Sequence, residues 1–375
     1  MPQAIVPSVP LVRCQDVTTA PVHHGRALTA ISFDVLRGEI LAVVGPGGSG
    51  KSTLLRVMMG LQPTTRGSII VDDISLPQHP HGIGTFTSYL TQQSDAPEHL
   101  RVGELLFFAG RLRGLPAREA RAVSRELLDQ SGLAPLIRQP LHRISRGEER
   151  LARFCAGLIG SPRLLILDEP TVGLDLRQRQ WMWEILRQMH QRNNLTTVVA
   201  THFIEEIEPH AHRLALLRDG RLTAIGDQAS LKSRYSKGPR MDVRLVPGAT
   251  LARTTRLKLE ALGELIEREP EFFILYPKPD TIGDLAKSVP VMTMAQALVK
   301  GGKANKATKP PTPDTVDLRN DAWLLDRTTA LPGSLGRTVE EIFTIIGPQH
   351  IAEFWFAPPT LADVYLHLTG EESHA

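Results

Sequence analysis

The segment Gly45-Pro46-Gly47-Gly48-Ser49-Gly50-Lys51-Ser52 follows directly on the apolar run Ile40-Leu41-Ala42-Val43-Val44 and leads into Thr53-Leu54-Leu55-Arg56-Val57-Met58-Met59. The spacing G-x-x-x-x-G-K-S is that of a loop that grips phosphates. Its glycines let successive backbone N–H groups turn inward, Lys51 reaches β and γ oxygens, and the Ser52 hydroxyl can ligate Mg²⁺. A helix over 52–59 would aim its N-terminal partial positive charge at the same anion. Strand, loop and helix fall in the order this chemistry needs, which an ordinary glycine-rich turn does not require. The expected ligand is a nucleoside triphosphate with Mg²⁺.

A second acidic constellation lies downstream. Leu164-Leu165-Ile166-Leu167-Asp168-Glu169 ends an apolar run in two carboxylates. Asp168 is suited to holding Mg²⁺, directly or through water, and Glu169 to polarising an attacking water as general base. Alone, such a pair is as consistent with a turn or a helix cap. After a phosphate loop at domain-scale spacing it points to triphosphate hydrolysis.

Groups so far apart in the chain meet only if a sheet gathers them. From about residue 10 to 235 short β-rich runs alternate with amphipathic helical patterns, which predicts an α/β domain. Strands are expected at 69–71, 40–44, 164–167 and 196–200. The last three are apolar throughout, as parallel strands covered on both faces should be. Between residues 102 and 158 strand signals vanish. Helices expected at 103–113, 118–129 and 149–159 therefore form a helical insertion, about 93–160, inside the sheet domain. A further helix is expected at 177–192.

After residue 235 the pattern changes. Strands at 241–246 and 271–276 and a helix at 257–268 predict a small α/β appendage over 236–375. The stretch Lys300-Gly301-Gly302-Lys303-Ala304-Asn305-Lys306 opens a low-complexity region, about 300–316, that reads as a flexible linker; a basic contact with anionic lipid headgroups is the alternative.

Composition narrows the function classes. The 375 residues suit two domains, and a net charge of +3 makes no whole-molecule case for nucleic-acid binding. Cys14 and Cys155, the two cysteines, argue against a disulfide framework and for a reducing compartment. The opening Met1-Pro2-Gln3-Ala4-Ile5-Val6-Pro7 does not read as a secretory signal. No apolar run approaches the ~18 residues of a membrane span.

Farther motifs complete a series. Ser88-Tyr89-Leu90-Thr91-Gln92 precedes the insertion, Ile144-Ser145-Arg146-Gly147-Glu148 lies within it, Pro170-Thr171-Val172-Gly173-Leu174-Asp175 follows the carboxylates, and Thr201-His202 ends the run at 196–200. Over roughly residues 10–235 the chain resembles the ATPase subunits of ATP-binding cassette (ABC) transporters. There a Walker A loop, Q-loop, signature, Walker B strand, D-loop and switch histidine occur in this order. The resemblance implies a P-loop NTPase (RecA-like) sheet domain with a helical subdomain insertion, and ATP as the nucleotide. It implies that Gln92 reaches Mg²⁺ or the lytic water, that His202 hydrogen-bonds the γ-phosphate, and that Asp175 communicates between two sites of a dimer. Asp175 could equally cap a helix.

Two departures stand out. The family usually has Leu-Ser-Gly-Gly-Gln where this chain has Ile144 to Glu148. Ser145 and Gly147 survive at the positions that would reach a partner's γ-phosphate; Arg146 replaces the first glycine, and Glu148 puts an acid near the phosphate. The family also stacks adenine on an aromatic residue upstream, where this chain offers His23 and His24. The pairs His79/His81 and His210/His212, together with Trp181 and Trp183, read as loop histidines and packing rather than as metal ligands or a base platform.

Two more stretches resemble the drug, lipid and polysaccharide export branch: Arg101-Val102-Gly103-Glu104-Leu105-Leu106-Phe107-Phe108, and Pro359-Thr360-Leu361-Ala362-Asp363-Val364-Tyr365-Leu366-His367-Leu368-Thr369-Gly370. What this implies is an ATPase that dimerises with itself or a relative, sits in the cytoplasm on the inner face of the membrane, and drives an integral membrane permease. No direct nucleic-acid partner is expected. The readings left open are a soluble ABC ATPase acting on nucleic acid or ribosomes, and a weakly active regulatory half of a heterodimer.

Overall fold

A computed structural model describes residues 9–21, 26–76, 82–92, 97–235, 240–277, 292–293, 333–357 and 359–369. The chain divides into two compact units, Met1–Leu231 and Lys232–Ala375.

In the first unit, β1 (Pro10–Thr18), β2 (Ile31–Leu36), β3 (Ile40–Val44), α1 (Lys51–Met58), β4 (Arg66–Val71), β5 (Ile74–Ser75) and β6 (Thr87–Leu90) precede the helical insertion. That insertion holds α2 (Val102–Leu112), α3 (Ala117–Gln130) and α4 (Arg146–Leu158). Then come β7 (Leu164–Asp168), α5 (Leu176–Asn193), β8 (Thr196–Thr201), the single turn α6 (Ile204–Ile207), β9 (Arg213–Arg218), β10 (Arg221–Asp227) and α7 (Gln228–Tyr235), within which the first unit ends.

The main sheet has the order β10-β9-β3-β8-β7-β6, parallel except for β10 at its edge. β3, β7 and β8 are buried at every residue, as strands covered on both faces must be. An antiparallel sheet, β2-β1-β4-β5, shares their core through Leu11, Val12, Phe33, Val35, Ile69 and Val71. Register brings the strand ends level: Val44 pairs with Thr201, Asp168 with Ala200, and Leu90 with Leu167. The residues just past these ends, Gly45, His202, Glu169 and Thr91, therefore emerge along one rim. Ligands of parallel α/β sheets bind at that carboxyl edge.

The second unit contains β11 (Arg240–Leu245), α8 (Arg253–Leu262), β12 (Gly263–Glu269), β13 (Phe272–Pro277), β14 (Met292–Thr293), α9 (Gly333–Ile346), β15 (Ile351–Ala357) and α10 (Leu361–Thr369). Its antiparallel sheet has the order β12-β13-β11-β15-β14. Met241, Val243 and Leu245 alternate onto one face and pack with Leu259 of α8 and Val339, Ile342 and Phe343 of α9. Asp363 of α10 takes the Arg240 guanidinium at 2.9 and 3.1 Å, while Leu361 and Val364 are buried.

The helix expected at 257–268 is corrected: α8 ends at Leu262, and Gly263–Glu269 is a strand paired with β13. Ladder pairing overrides helix propensity there. The helix expected at 149–159 starts three residues earlier, at Arg146, with Ser145 as its cap. The linker expected at about 300–316 lies outside the described residues. Among the described residues no helix is long and apolar enough to cross a membrane.

Candidate nucleotide-binding site

β3 delivers the chain to Gly45, and residues 45–50 curl over the start of α1. Gly48 and Gly50 have φ of 73° and 106°, a left-handed backbone that costs glycine nothing. Gly47 and Gly48 border open space, where side chains would narrow the loop's mouth. Lys51 folds back over the loop, donating to Gly45 O at 2.6 Å and Pro46 O at 3.1 Å. Its Nζ lies 3.9 Å from Glu169 Oε1. Burial pushes the Lys51 pKa down, opposed by the charges of Glu169 and Asp168. The Ser52 hydroxyl hydrogen-bonds Asp168, Thr53 is buried in α1, and the buried Ser49 Oγ has no protein partner.

Asp168 closes β7, and Glu169 follows with φ of 49°. A left-handed conformation costs a non-glycine residue roughly 1–2 kcal/mol, and such strain collects at functional sites. The turn is held by the Glu169 N–H donating to Ala200 O at 2.9 Å. Asp168 and Glu169 are 1% and 5% exposed, and Asp168 Oδ1 and Glu169 Oε2 have no hydrogen-bond partner. Burial raises the Asp168 pKa against the Ser52 hydrogen bond. The Tyr89 hydroxyl stands 3.5 Å from Asp168 Oδ2, and burial together with that carboxylate pushes the phenol pKa up. Unsatisfied carboxylate oxygens beside a serine hydroxyl are a hard, oxygen-only donor set, which fits Mg²⁺.

His202, just past β8, sets Nδ1 2.8 Å from Glu169 Oε1. An ionised carboxylate only accepts, so Nδ1 carries the proton and Nε2 is left for another partner. His202 is half exposed, and its ring lies 3.8 Å from that of Phe203. Glu169 and His202 line an open cleft of about 1000 Å³, together with residues 47–53, Arg56, Leu61, Tyr89, Thr91 and Gln92. Gln92 is exposed on that wall. The cleft rim also carries Arg26, which donates to Gly48 O at 3.0 Å and pairs with Asp219 at 2.7 Å. His23 and His24, expected near adenine, lie outside the described residues, as do His79 and His81.

The signature residues do not line this cleft. Ser145 and Glu148 form a reciprocal cap on α4: Ser145 Oγ accepts from the Glu148 N–H at 3.2 Å, and Glu148 Oε2 accepts from the Ser145 N–H at 2.8 Å. The same carboxylate oxygen takes the Ser145 hydroxyl proton at 2.7 Å. Arg146 starts the helix, and Gly147 packs so closely that an added Cβ would stand 2.5 Å from Gly173 O. Asp175 caps α5, accepting from the Gln178 N–H at 2.8 Å.

Sequence reading missed Arg150. It is 7% exposed, and its guanidinium donates to Pro170 O, Gln92 O, Asp168 O and Glu169 O. The available signal was a charge on an apolar stripe, since Gly147, Arg150, Leu151, Phe154 and Leu158 share the buried side of α4. The residues read as bland have local roles. His210 stacks on Trp183, His212 Nδ1 accepts from the Ile40 N–H, and Trp183 donates to Glu206. Cys14 and Cys155 are free and buried, their pKa values pushed up to about 12 by burial.

Comparison with known proteins gives a consistent set of similarities. Residues 28–172 match the family model described as ABC transporter. The chain is 34% identical over 232 residues to the daunorubicin resistance ATP-binding protein DrrA3 of Streptomyces coeruleorubidus, covering 62% of this chain and 73% of that protein. It is 31% identical over 232 residues to the ABC-type organic anion transporter ABCA8B of Mus musculus, covering 62% of this chain but only 14% of that much longer protein. A solved ATP-binding subunit of an ABC transporter shares the fold, with a TM-score of 0.56 at 24% identity over 60% of this chain and 93% of that one.

Proposed function

The chain belongs to the ATP-binding cassette (ABC) transporter family and carries its ATPase domain, and on that premise we propose that it hydrolyses MgATP to drive a separate membrane permease. The observation that carries this reading is the convergence on Glu169 Oε1, with Lys51 Nζ 3.9 Å away and His202 Nδ1 2.8 Å away beside the phosphate loop. Lys51 and the backbone N–H groups of residues 45–53, Pro46 excepted, bind the triphosphate. Ser52, Asp168 and Gln92 would hold Mg²⁺, which supplies charge neutralisation at the β and γ oxygens when bound.

Glu169 takes a proton from water as the water oxygen bonds to the γ-phosphorus; the bond from that phosphorus to the β–γ bridging oxygen breaks, leaving ADP and phosphate. His202 holds the carboxylate through Nδ1–H, and in its doubly protonated form Nε2–H would donate to a γ-phosphate oxygen. Lys51 leaves its own loop carbonyls for the incoming oxygens.

Two such chains, identical or related, would pair head to tail, with Ser145 and Gly147 of one completing the site of the other and Asp175 at the junction. The wall at Gln92 and the helix α2, where Phe108 and Leu112 are 48% and 88% exposed, would receive a cytoplasmic helix of the permease. The chain would then sit on the inner face of the membrane without crossing it. Of the drug, lipid or polysaccharide-like export substrates expected for this branch, relatives named for daunorubicin resistance and organic anion transport support the drug-like one. The test is MgATP turnover by the purified chain. Turnover lost in Glu169→Gln supports the proposal, and equal turnover in that variant contradicts it.

A further inference from the structure

The first turns of α4 and the turn that carries Glu169 are tied together by one buried side chain. Arg150 Nε donates to Pro170 O at 3.0 Å, Nη1 to Gln92 O at 2.8 Å, and Nη2 to Asp168 O at 2.6 Å and to Glu169 O. All four acceptors are backbone carbonyls, one from the segment that follows β6 and three from the end of β7 and the turn after it. Satisfying them takes a planar fork of several donors, which arginine has and lysine lacks. A side chain needed for packing alone would be served as well by an apolar residue, because burying a cation is costly.

Two further features give the contact direction. Glu169 has φ of 49°, and this turn is held on one side by its N–H on Ala200 O and on the other by Arg150 on its carbonyl. One turn N-terminal to Arg150, Gly147 abuts Gly173 O so closely that a Cβ would stand 2.5 Å away. The Ser145 end of α4 therefore touches residues 168–173 at two separate points.

We infer that Arg150 is a positioning residue that couples the signature end of α4 to the aim of Glu169 and the seat of Gln92 in the same chain. This rests on the head-to-tail dimer proposed above. A partner's γ-phosphate engaging Ser145 and Gly147 shifts α4, and Arg150 carries the shift to the catalytic turn, so each chain hydrolyses its own ATP only when it also clasps its partner's.

A double-mutant cycle on the full chain tests this, using Arg150→Met, Arg150→Lys, Ser145→Ala and the combinations, with MgATP affinity, kcat, KM and thermal melting measured for each. Arg150→Met should keep its MgATP affinity and KM within about twofold while kcat falls about tenfold or more. Arg150→Lys should lose less. Adding Ser145→Ala to either Arg150 variant should cost several-fold less kcat than Ser145→Ala costs alone, because the route through α4 has already been cut and only the direct contact with the partner's γ-phosphate remains to be lost.

Losses that multiply across the two sites would overturn the coupling, as would a fall in affinity matching the fall in kcat. Should Arg150→Met melt early, Arg150→Lys with Ser145→Ala carries the same test. If Ser145→Ala alone leaves kcat unchanged, the head-to-tail reading fails instead, which keeps the two failures apart.

Discussion

His202 Nδ1 and Glu169 Oε1 are joined by a 2.8 Å hydrogen bond, and that bond links the ends of β8 and β7 across the mouth of the cleft. Glu169 is buried, its backbone is left-handed, and its other oxygen has no protein partner. The carboxylate is thus fixed through Oε1, while the buried Oε2 keeps its acceptor capacity unfilled.

His202→Ala should lower kcat by about 10²-fold or more, in the range of general acid–base contributions, and leave MgATP affinity nearly unchanged. Single-turnover hydrolysis at saturating ATP measures this directly. A rise in KM with kcat preserved would mean that His202 binds nucleotide rather than orienting the base.

In Ser145 the hydroxyl proton is already committed to Glu148 Oε2 at 2.7 Å. Glu148→Gln keeps the helix cap, since glutamine serves in a capping box, but removes the anion that competes with a partner's phosphate for that proton. We expect ATP-dependent dimerisation to tighten by several-fold and kcat to rise, read by sedimentation and turnover. Unchanged dimerisation would show that Glu148 does not restrain Ser145.

Burial, followed by the neighbouring charge of His212, pushes the His190 pKa from 6.5 down to about 4. A base with a depressed folded pKa is neutral in the fold while the unfolded chain takes up a proton, so stability should fall as pH drops from 6.5 towards 4 and be insensitive to this group above that window. His190→Gln should flatten that part of the curve in urea titrations at successive pH values. An identical slope in the variant would remove His190 from the acid response.

Legibility in the sequence followed physical locality. The phosphate loop and the strands around Ile40, Leu164 and Thr196 announced themselves because a parallel strand covered on both faces is apolar at every position, and a phosphate grip needs its glycines contiguous. The export-like tail also acquires a local reason: Thr360 and Asp363 cap α10 reciprocally, and Asp363 holds Arg240. Arg150 was opaque because its partners are backbone carbonyls, which no residue type at Gln92 or Pro170 reveals. Gly263–Glu269 was misread because its strand character comes from β13, distant in kind from any helical period its own residues display. The Glu148 hydrogen bond to Ser145 depends on α4 starting at Arg146, ahead of the apolar period that marks the helix in the sequence.

The decisive measurement is MgATP turnover and assembly state of the Glu169→Gln chain, followed side by side by phosphate release and analytical ultracentrifugation with and without ATP. Hydrolysis should fall by at least ~10²-fold while ATP binding persists and the monomer shifts to a dimer. Undiminished hydrolysis, or a chain that stays monomeric with ATP bound, would contradict Glu169 as the base of an ATP-clasped dimer.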